Sequence, residues 1–404
     1  MLCARALLKR RLSRAYASCT ANQNQPQKGD KVVLGMSGGI DSSVSAKLLA
    51  TQDYDLSAIF MRNWDTRDEY GSSDKGCEWE KDWDDVQKVC KVYDIPCQMI
   101  DLSKEYWNRV FEPSLRQWED GITPNPDVWC NREIKFGALL EHLPYTNTDK
   151  PPWLATGHYA RKDWYLSRPR LLRSLDGVKD QSYYLSSISQ SGLARALFPI
   201  GHLTKQKVRR IAQQGDMPAS VLERPESMGL CFVGEKKRTD FKEFISSYIS
   251  PSPGPVKLLS TGETLAQHSG LWSFTIGERI RLRGMPERMY VVQKNIPTNS
   301  IFVDHGRHPS LYCRSIQANN FSWIWPDAPP ARLLDGIQLY AQIRHLMQAV
   351  PCIVKTLEED SSHTNIHITF HEPLRGVASG QVAALWDGEW CLGCGVIAGT
   401  TAIE

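Results

Sequence analysis

Short apolar runs separated by stretches of helical spacing set the pattern of the first half of the chain. Val32-Val33-Leu34, Ser57-Ala58-Ile59-Phe60-Met61, Cys97-Gln98-Met99-Ile100 and Trp153-Leu154-Ala155-Thr156 read as strands. Between them Val44, Leu48 and Leu49, then Trp79, Trp83, Val86, Cys90 and Tyr93, and finally Tyr106 and Val110 recur at helical spacing. This alternation predicts right-handed βαβ units and an α/β domain built on a parallel sheet. Ligands of such sheets sit at the carboxyl ends of the strands. The loop after the first strand, Met61 and the Gly157-His158 turn all fall on that edge. From Pro199 to Thr261 the pattern changes to short helical pieces, and Pro251-Ser-Pro-Gly-Pro255 reads as a linker. Beyond it come short β-rich runs: Met289–Val292, Ile301–Val303, Cys352–Val354, Ile366–Ile368 and Val382–Leu385. Asp387-Gly388 predicts a hairpin turn into Trp390-Cys-Leu392. Many short strands without helices predict a small barrel or sandwich. The expected division is a parallel-sheet domain over 28–198, a small central domain over 199–262 and a β-barrel over 263–404.

The first loop carries the most specific chemistry. Gly35-Met36-Ser37-Gly38-Gly39-Ile40-Asp41-Ser42-Ser43 follows a buried strand and opens a helix. There, unsatisfied backbone N–H groups and the helix dipole converge on an anion. The loop lacks the Gly-Lys-Ser/Thr ending of a Walker A motif, so no lysine within it reaches the β- and γ-phosphates. An ordinary Gly/Ser helix cap is the alternative. Ser37-Gly-Gly-Ile-Asp-Ser42 resembles the PP-loop of ATP pyrophosphatases, which cleave ATP between the α- and β-phosphates and make an adenylate.

Composition narrows the setting. The chain has 404 residues, enough for two or three domains, and no apolar run long enough to span a membrane. The net charge of +3 hides an asymmetry: residues 1–29 hold six basic groups and no acid, which leaves +3 − 6 = −3 for the remainder. A nucleic acid would therefore have to meet a local basic patch. Lys205–Arg210, Lys236–Arg238 and Arg279–Arg283 are such clusters, or solvated faces. Met1 to Gln27 has the Arg-, Ala-, Leu- and Ser-rich, acid-free composition of a mitochondrial transit peptide. Arg14-Ala15-Tyr16 looks like a matrix-protease cleavage site, giving a mature end near Ala17, and a disordered RNA-binding arm is the alternative. The matrix localisation this predicts keeps the 11 scattered cysteines reduced. Cys391-Leu-Gly-Cys394 has no second pair to complete a zinc site and reads as structural.

Two other cysteines stand in unusual settings. Asn125-Pro126-Asp127-Val-Trp-Cys130-Asn131 places a carboxylate three residues before a thiol at a helix start, where thiolate is favoured. Ser227-Met-Gly-Leu-Cys231-Phe-Val-Gly-Glu235 flanks a second thiol with small residues. A structural cysteine is the alternative at Cys130. Together with the PP-loop, Thr156-Gly-His-Tyr159 and Lys179-Asp-Gln-Ser182, these strings follow the order found in the tRNA-specific 2-thiouridylases. The chain resembles a mitochondrial member of that family from Lys31 to Ile397.

That resemblance implies a fold, with a PP-loop (adenine nucleotide α-hydrolase-like) sheet domain, a central domain and a C-terminal barrel. It also implies a site. ATP, carried with Mg2+ and with no metal held by the protein itself, would lie on Gly35, Met36, Ser37, Gly38, Gly39, Ile40, Asp41, Ser42, Met61 and Gly157. Asn125, Pro126 and Asp127 would meet the target base, with Asp127 as acid/base. His158, Lys179, Asp180, Gln181, Arg344, His345 and Gln381 would touch tRNA. Cys231 would receive sulfur from a carrier protein or a cysteine desulfurase system as a persulfide, and Cys130 would be the nucleophile. A Cys130–Cys231 disulfide would then need a reductant, and one loop would have to move. The tRNAs implied are those for Lys, Glu and Gln. Departures from the family pattern are Glu278 in place of Gln, Met285-Pro-Glu-Arg-Met-Tyr290 without Pro-Trp before Tyr, and Cys394 in place of Gly. Other PP-loop amidating or ligating enzymes are the competing class, as is a non-catalytic tRNA-binding relative. The cysteine pair argues against the first, and the intact Ser37, Asp41, Asp127, Cys130 and Cys231 against the second.

Overall fold

A computed structural model of the chain describes residues 24–64, 78–143, 150–224, 238–330, 333–356 and 364–403. Most of the proposed leader and all of Ser227–Glu235, including Cys231, lie outside the described residues. The chain divides into two compact units. The first comprises the described residues of Met1–Leu102, Ala138–Ser182 and Gln190–Glu226; the second those of Ser103–Gly137, Tyr183–Ser189 and Ser227–Glu404.

The first unit is an α/β fold built on a parallel sheet, as the strand–helix alternation predicts. Its strands β1 (Lys31–Met36), β2 (Asp55–Arg62), β3 (Cys97–Asp101) and β4 (Trp153–Thr156) match the four apolar runs. The order is β3-β2-β1-β4, all pairs parallel, with the two-residue strand Ala196–Leu197 added beside β4. Val32, Val33 and Leu34 of β1 are 0–2% exposed, as the central strand of a parallel sheet requires. Helix α1 (Ile40–Ala50) packs Val44, Ala46 and Leu49 into this core, where Val86, Val89 and Cys90 of α2 (Glu78–Val92) and Val208 and Ala212 of helix Lys205–Gln213 join them. A hairpin of β5 (Arg161–Tyr165) and β6 (Arg168–Leu172) turns through Leu166 and Ser167, both at positive φ, as a tight mirror-image turn requires.

The second unit begins with a nearly continuous helical run, Ser103–Tyr106, Trp107–Phe111 and Glu112–Glu119. Phe111 packs against Phe244 and Tyr248, at the end of helix Arg238–Ser246, at ring distances of 5.8 and 5.2 Å. Residues Gly254–His305 form a five-stranded sheet with its own core of Val256, Met289, Val291, Ile301 and Val303. Its first strand starts at Gly254, so Pro251–Pro255 is a linker only up to Pro253. The remaining strands run from Tyr312 to Ala402 in the order 312–323, 366–375, 350–356, 337–342, 382–387, 390–402, and the last pairs back with the first. This closes a six-stranded antiparallel barrel, which removes every sheet edge. Trp390 follows Asp387-Gly388 as expected, with Gly388 at φ 59°. Cys391 and Cys394 are buried in the last strand, and burial pushes the Cys394 thiol up to about 11, in keeping with a structural role.

Candidate active site

In the first unit the carboxyl ends of β1, β2 and β4 gather the expected ATP residues. Gly35 is in register with Ile59 on one side and Thr156 on the other, so the loop after β1, Met61 and Gly157 share one sheet edge. Gly38 takes φ +74°, and a Cβ there would come within 2.9 Å of the Asp82 backbone oxygen, so only glycine fits the turn. The N-cap Gly39 offers no side-chain acceptor, so no N-cap side chain satisfies the first N–H groups of α1, an arrangement suited to an anion. Ser42 and Ser43 donate their hydroxyls to the Gly39 carbonyl at 3.0 and 2.9 Å, and the Ser37 N–H donates to Ser42 Oγ at 3.2 Å. The serines thus fix the loop's shape. Gly157 lies directly against it: a Cβ there would stand 2.8 Å from the Ser42 nitrogen.

Asp41 is engaged from two directions. The Tyr159 hydroxyl donates to its Oδ1 at 2.9 Å, and Lys205 Nζ lies 2.8 and 2.9 Å from its two oxygens. The neighbouring turn is braced internally. Asp180 Oδ1 accepts from Ser174 N–H, Ser182 N–H and Ser182 Oγ, and Gln181 Oε1 accepts from Tyr159 N–H at 2.9 Å. His158 is 9% exposed, with Nδ1 2.8 Å from Thr156 Oγ1.

In the second unit a cavity of about 330 Å³ is lined by Asn125, Pro126, Asp127, Arg344, His345 and Gln381. Pro126–Trp129 is a single helical turn capped by Asn125 Oδ1, which accepts the Val128 N–H. The chain then winds into a wider helix, Cys130–Ala138, of a kind frequent at functional sites. Gly137 permits that winding, since a Cβ would fall 2.8 Å from the Arg132 carbonyl oxygen. Asp127 and Cys130 are three residues apart on this helical path, a spacing that puts Cβ atoms about 5–6 Å apart on one face. Cys130 is 0% exposed. The barrel holds the loop ahead of them: Gln381 Nε2 donates to the carbonyls of Thr123 and Pro124 at 3.0 and 3.1 Å, and Thr123 N–H donates to Ser379 O. Tyr183, fully buried, donates its hydroxyl to Val382 O at 2.9 Å and accepts from Asn125 Nδ2 at 3.4 Å. Its neighbour Tyr184 stacks on His345, with centroids 4.3 Å apart and planes at 26°. Trp118, Phe241 and Trp272 add aromatic surface to the cavity.

Comparison with known proteins gives these residues a family. Residues 30–235 match the model described as tRNA methyl transferase HUP domain, 242–305 the tRNA methyl transferase PRC-barrel domain, and 313–397 the Aminomethyltransferase beta-barrel domain. The chain is 38% identical over 373 residues to the tRNA-specific 2-thiouridylase MnmA of Aeromonas hydrophila, covering 91% of this chain and 96% of that one. It is 39% identical to the MnmA of Bacillus subtilis and 40% to that of Bacillus velezensis, in each case over 91% of this chain and 94% of the relative. The chain belongs to the tRNA-specific 2-thiouridylase family. The three matched segments contain the PP-loop sheet, the five-stranded sheet and the closed barrel of this thiouridylase fold.

Within this 2-thiouridylase, the residues expected at ATP cluster in the first unit and those expected at the base line one cavity of the second. Cys231 lies outside the described residues. Tyr159 carries no role in the sequence pattern and Lys205 reads there only as one of a basic run, because nothing local marks side chains that reach Asp41 from 118 and 164 positions away. The aromatic cavity wall was hidden for the same reason: Trp118, Tyr184, Phe241 and Trp272 come from four separate segments. Among the described residues no group of three or more His, Cys, Asp or Glu is placed to hold a metal.

Proposed function

We propose that the chain is an ATP-dependent tRNA 2-thiouridylase of the mitochondrial matrix, which replaces the 2-oxygen of the wobble uridine with sulfur in tRNAs for Lys, Glu and Gln. The observation that carries this reading is that Asn125-Pro126-Asp127 line a cavity just ahead of a cysteine at a helix start, in a chain that also has a lysine-free PP-loop. The base leaves its stack to enter the cavity, where the Tyr184–His345 stack and neighbouring tryptophans offer flat apolar contacts. Asn125 and Asp127 orient the ring edge. The uridine O2 attacks the α-phosphorus of ATP and pyrophosphate leaves, so that C2 carries an AMP leaving group. Mg2+ bound to the nucleotide supplies further neutralising charge.

Sulfur then replaces AMP at C2. A carrier protein or desulfurase loads Cys231 as a persulfide. In one path its outer sulfur attacks C2, AMP departs, and the Cys130 thiolate attacks the Cys231 sulfur to release thiolated tRNA. In the other, Cys130 attacks first and frees hydrosulfide, which attacks C2. Both paths reduce the transferred sulfur by two electrons, taken from the two thiols as they become a Cys130–Cys231 disulfide, and a cellular dithiol restores them.

The test is reconstitution with ATP, Mg2+, a persulfide donor and unmodified tRNA, read by nucleoside mass spectrometry. Cys130→Ser and Cys231→Ser are each expected to abolish 2-thiouridine while leaving tRNA affinity intact. Asp41→Ala is expected to stop AMP release. Retained 2-thiouridine in either cysteine variant would overturn the assigned roles. Mitochondrial tRNA from cells lacking the protein is expected to lose the 2-thio group alone.

A further inference from the structure

The loop between β1 and α1 offers amide donors but no cation of its own. Gly35–Ser43 contains neither Lys nor Arg. The N-terminal end of α1 supplies roughly half an elementary charge, far less than a triphosphate carries. Among the described residues, Arg224 and Lys205, both from later in the chain, reach the loop. Arg224 lies against Gly38, where a Cβ would meet its Nη1 at 2.9 Å, but two carboxylates, Asp82 and Asp85, already match its charge. Lys205 reaches Asp41 itself, with Nζ at 2.8 and 2.9 Å from the two oxygens.

This lysine is built into place. Thr204 caps its helix by accepting the Lys207 N–H, and Asp176 Oδ2 accepts the Lys205 N–H at 2.8 Å, which anchors the backbone. The Tyr159 ring centroid lies 5.8 Å from Nζ, and the same tyrosine donates to Asp41. The Lys205 side chain is only 13% exposed, whereas Lys207, Arg209 and Arg210 on the same helix are exposed. It is therefore not part of a solvated basic face. An ammonium held at the mouth of an anion loop by a carboxylate can exchange that partner for another anion at the same distance. Arriving phosphates repel Asp41 and attract Lys205, while the cation carried by the nucleotide attracts Asp41.

We propose that Lys205 is the phosphate-binding lysine of this loop, trading Asp41 for oxygens of the β- and γ-phosphates and neutralising pyrophosphate as it leaves. The proposal rests on the reading of the loop as an ATP site. In the step it serves, an O–Pα bond forms from the uridine oxygen and the bond from Pα to the β-phosphate oxygen breaks. The bonding pair departs on pyrophosphate, where the ammonium lies.

Equilibrium binding of ATP and of AMP, each with Mg2+ and without tRNA, tests this on the full chain. AMP lacks the phosphates that Lys205 is assigned to hold. Lys205→Gln is expected to weaken ATP about 10–100-fold, as loss of a charge-assisted hydrogen bond implies, and to leave AMP affinity unchanged. Lys205→Arg is expected to restore ATP binding to within about tenfold of wild type, and it guards against a glutamine variant that folds poorly. Equal losses for ATP and AMP would make Lys205 a structural residue, and no loss for either would remove it from the site; both outcomes overturn the proposal. Wild-type protein that fails to bind ATP would instead overturn the ATP reading of the loop.

Discussion

Gly157→Ala probes the closest backbone approach in the ATP half of the site. The added Cβ would stand 2.8 Å from the Ser42 nitrogen, 3.0 Å from the Asp41 carbonyl carbon and 3.1 Å from the Ser42 Cα. Reaching ordinary contact at 3.4 Å demands a displacement of about 0.6 Å between two backbones. Neither partner yields easily: β4 is held to β1 through Gly35 and Thr156, and α1 is anchored in the core by Val44 and Leu49. Overpacking of this kind costs about 1–3 kcal/mol. If the first turn of α1 absorbs the strain, its amides leave their aligned positions, and that cost becomes a loss of about 5–150-fold in ATP affinity. Titration of ATP and a thermal melt, with Gly177→Ala as control where nothing lies within 4 Å of the new carbon, measure both ends of the effect. ATP affinity within about twofold of wild type and an unchanged melting temperature would refute the close approach.

Other consequences follow from the same geometry. Burial lowers Lys162 to about 7, with Nζ on the Ala194 carbonyl and over the Trp153 and Trp164 rings. A base whose folded value is depressed costs stability while both states are charged, and that cost is relieved as pH rises from about 7 towards the unfolded value of about 10.4. Lys162→Met is therefore expected to stabilise the protein at pH 6 by about 1–3 kcal/mol and to flatten the rise above pH 7 in denaturant unfolding; a variant no more stable than wild type at pH 6 would contradict this. Tyr183→Phe strips the buried Val382 carbonyl and Asn125 of a partner, and is expected to lower stability by about 1–3 kcal/mol, read as a drop of several degrees in melting. Cys130, at 0% exposure, is expected to resist alkylation while half-buried Cys97 reacts, and to become reactive when tRNA binds. Peptide mass spectrometry showing Cys130 modified as fast as in unfolded chain would count against its enclosure.

Much of the architecture was legible because hydrophobic burial writes a local pattern. Val32–Leu34, Ser57–Met61, Cys97–Ile100 and Trp153–Thr156 all lie in strands, and the helical spacing from Trp79 to Cys90 lies in Glu78–Val92. The Arg161–Leu172 hairpin went unread because its turn is Leu166-Ser167, in place of the Asn-Gly or Asp-Gly that signals such a turn. Strand Tyr312–Trp323 was masked by polar Arg314, Gln317, Asn319 and Asn320 among its buried positions. The chemistry divides in the same way. Contiguous strings marked the loop and Cys130, whereas Lys205 on Asp41 and Gln381 on the Thr123-Pro124 carbonyls depend on contacts spanning 164 and about 258 positions.

In the proposed reaction the loop after β1 turns the uridine oxygen into a leaving group. An oxygen-18 label at O2 of the wobble uridine follows that atom directly. With ATP, Mg2+ and a persulfide donor, one oxygen-18 is expected in AMP for each 2-thiouridine formed, because the C2–O bond breaks and the O–Pα bond survives. Unlabelled AMP accompanying full thiolation would contradict it.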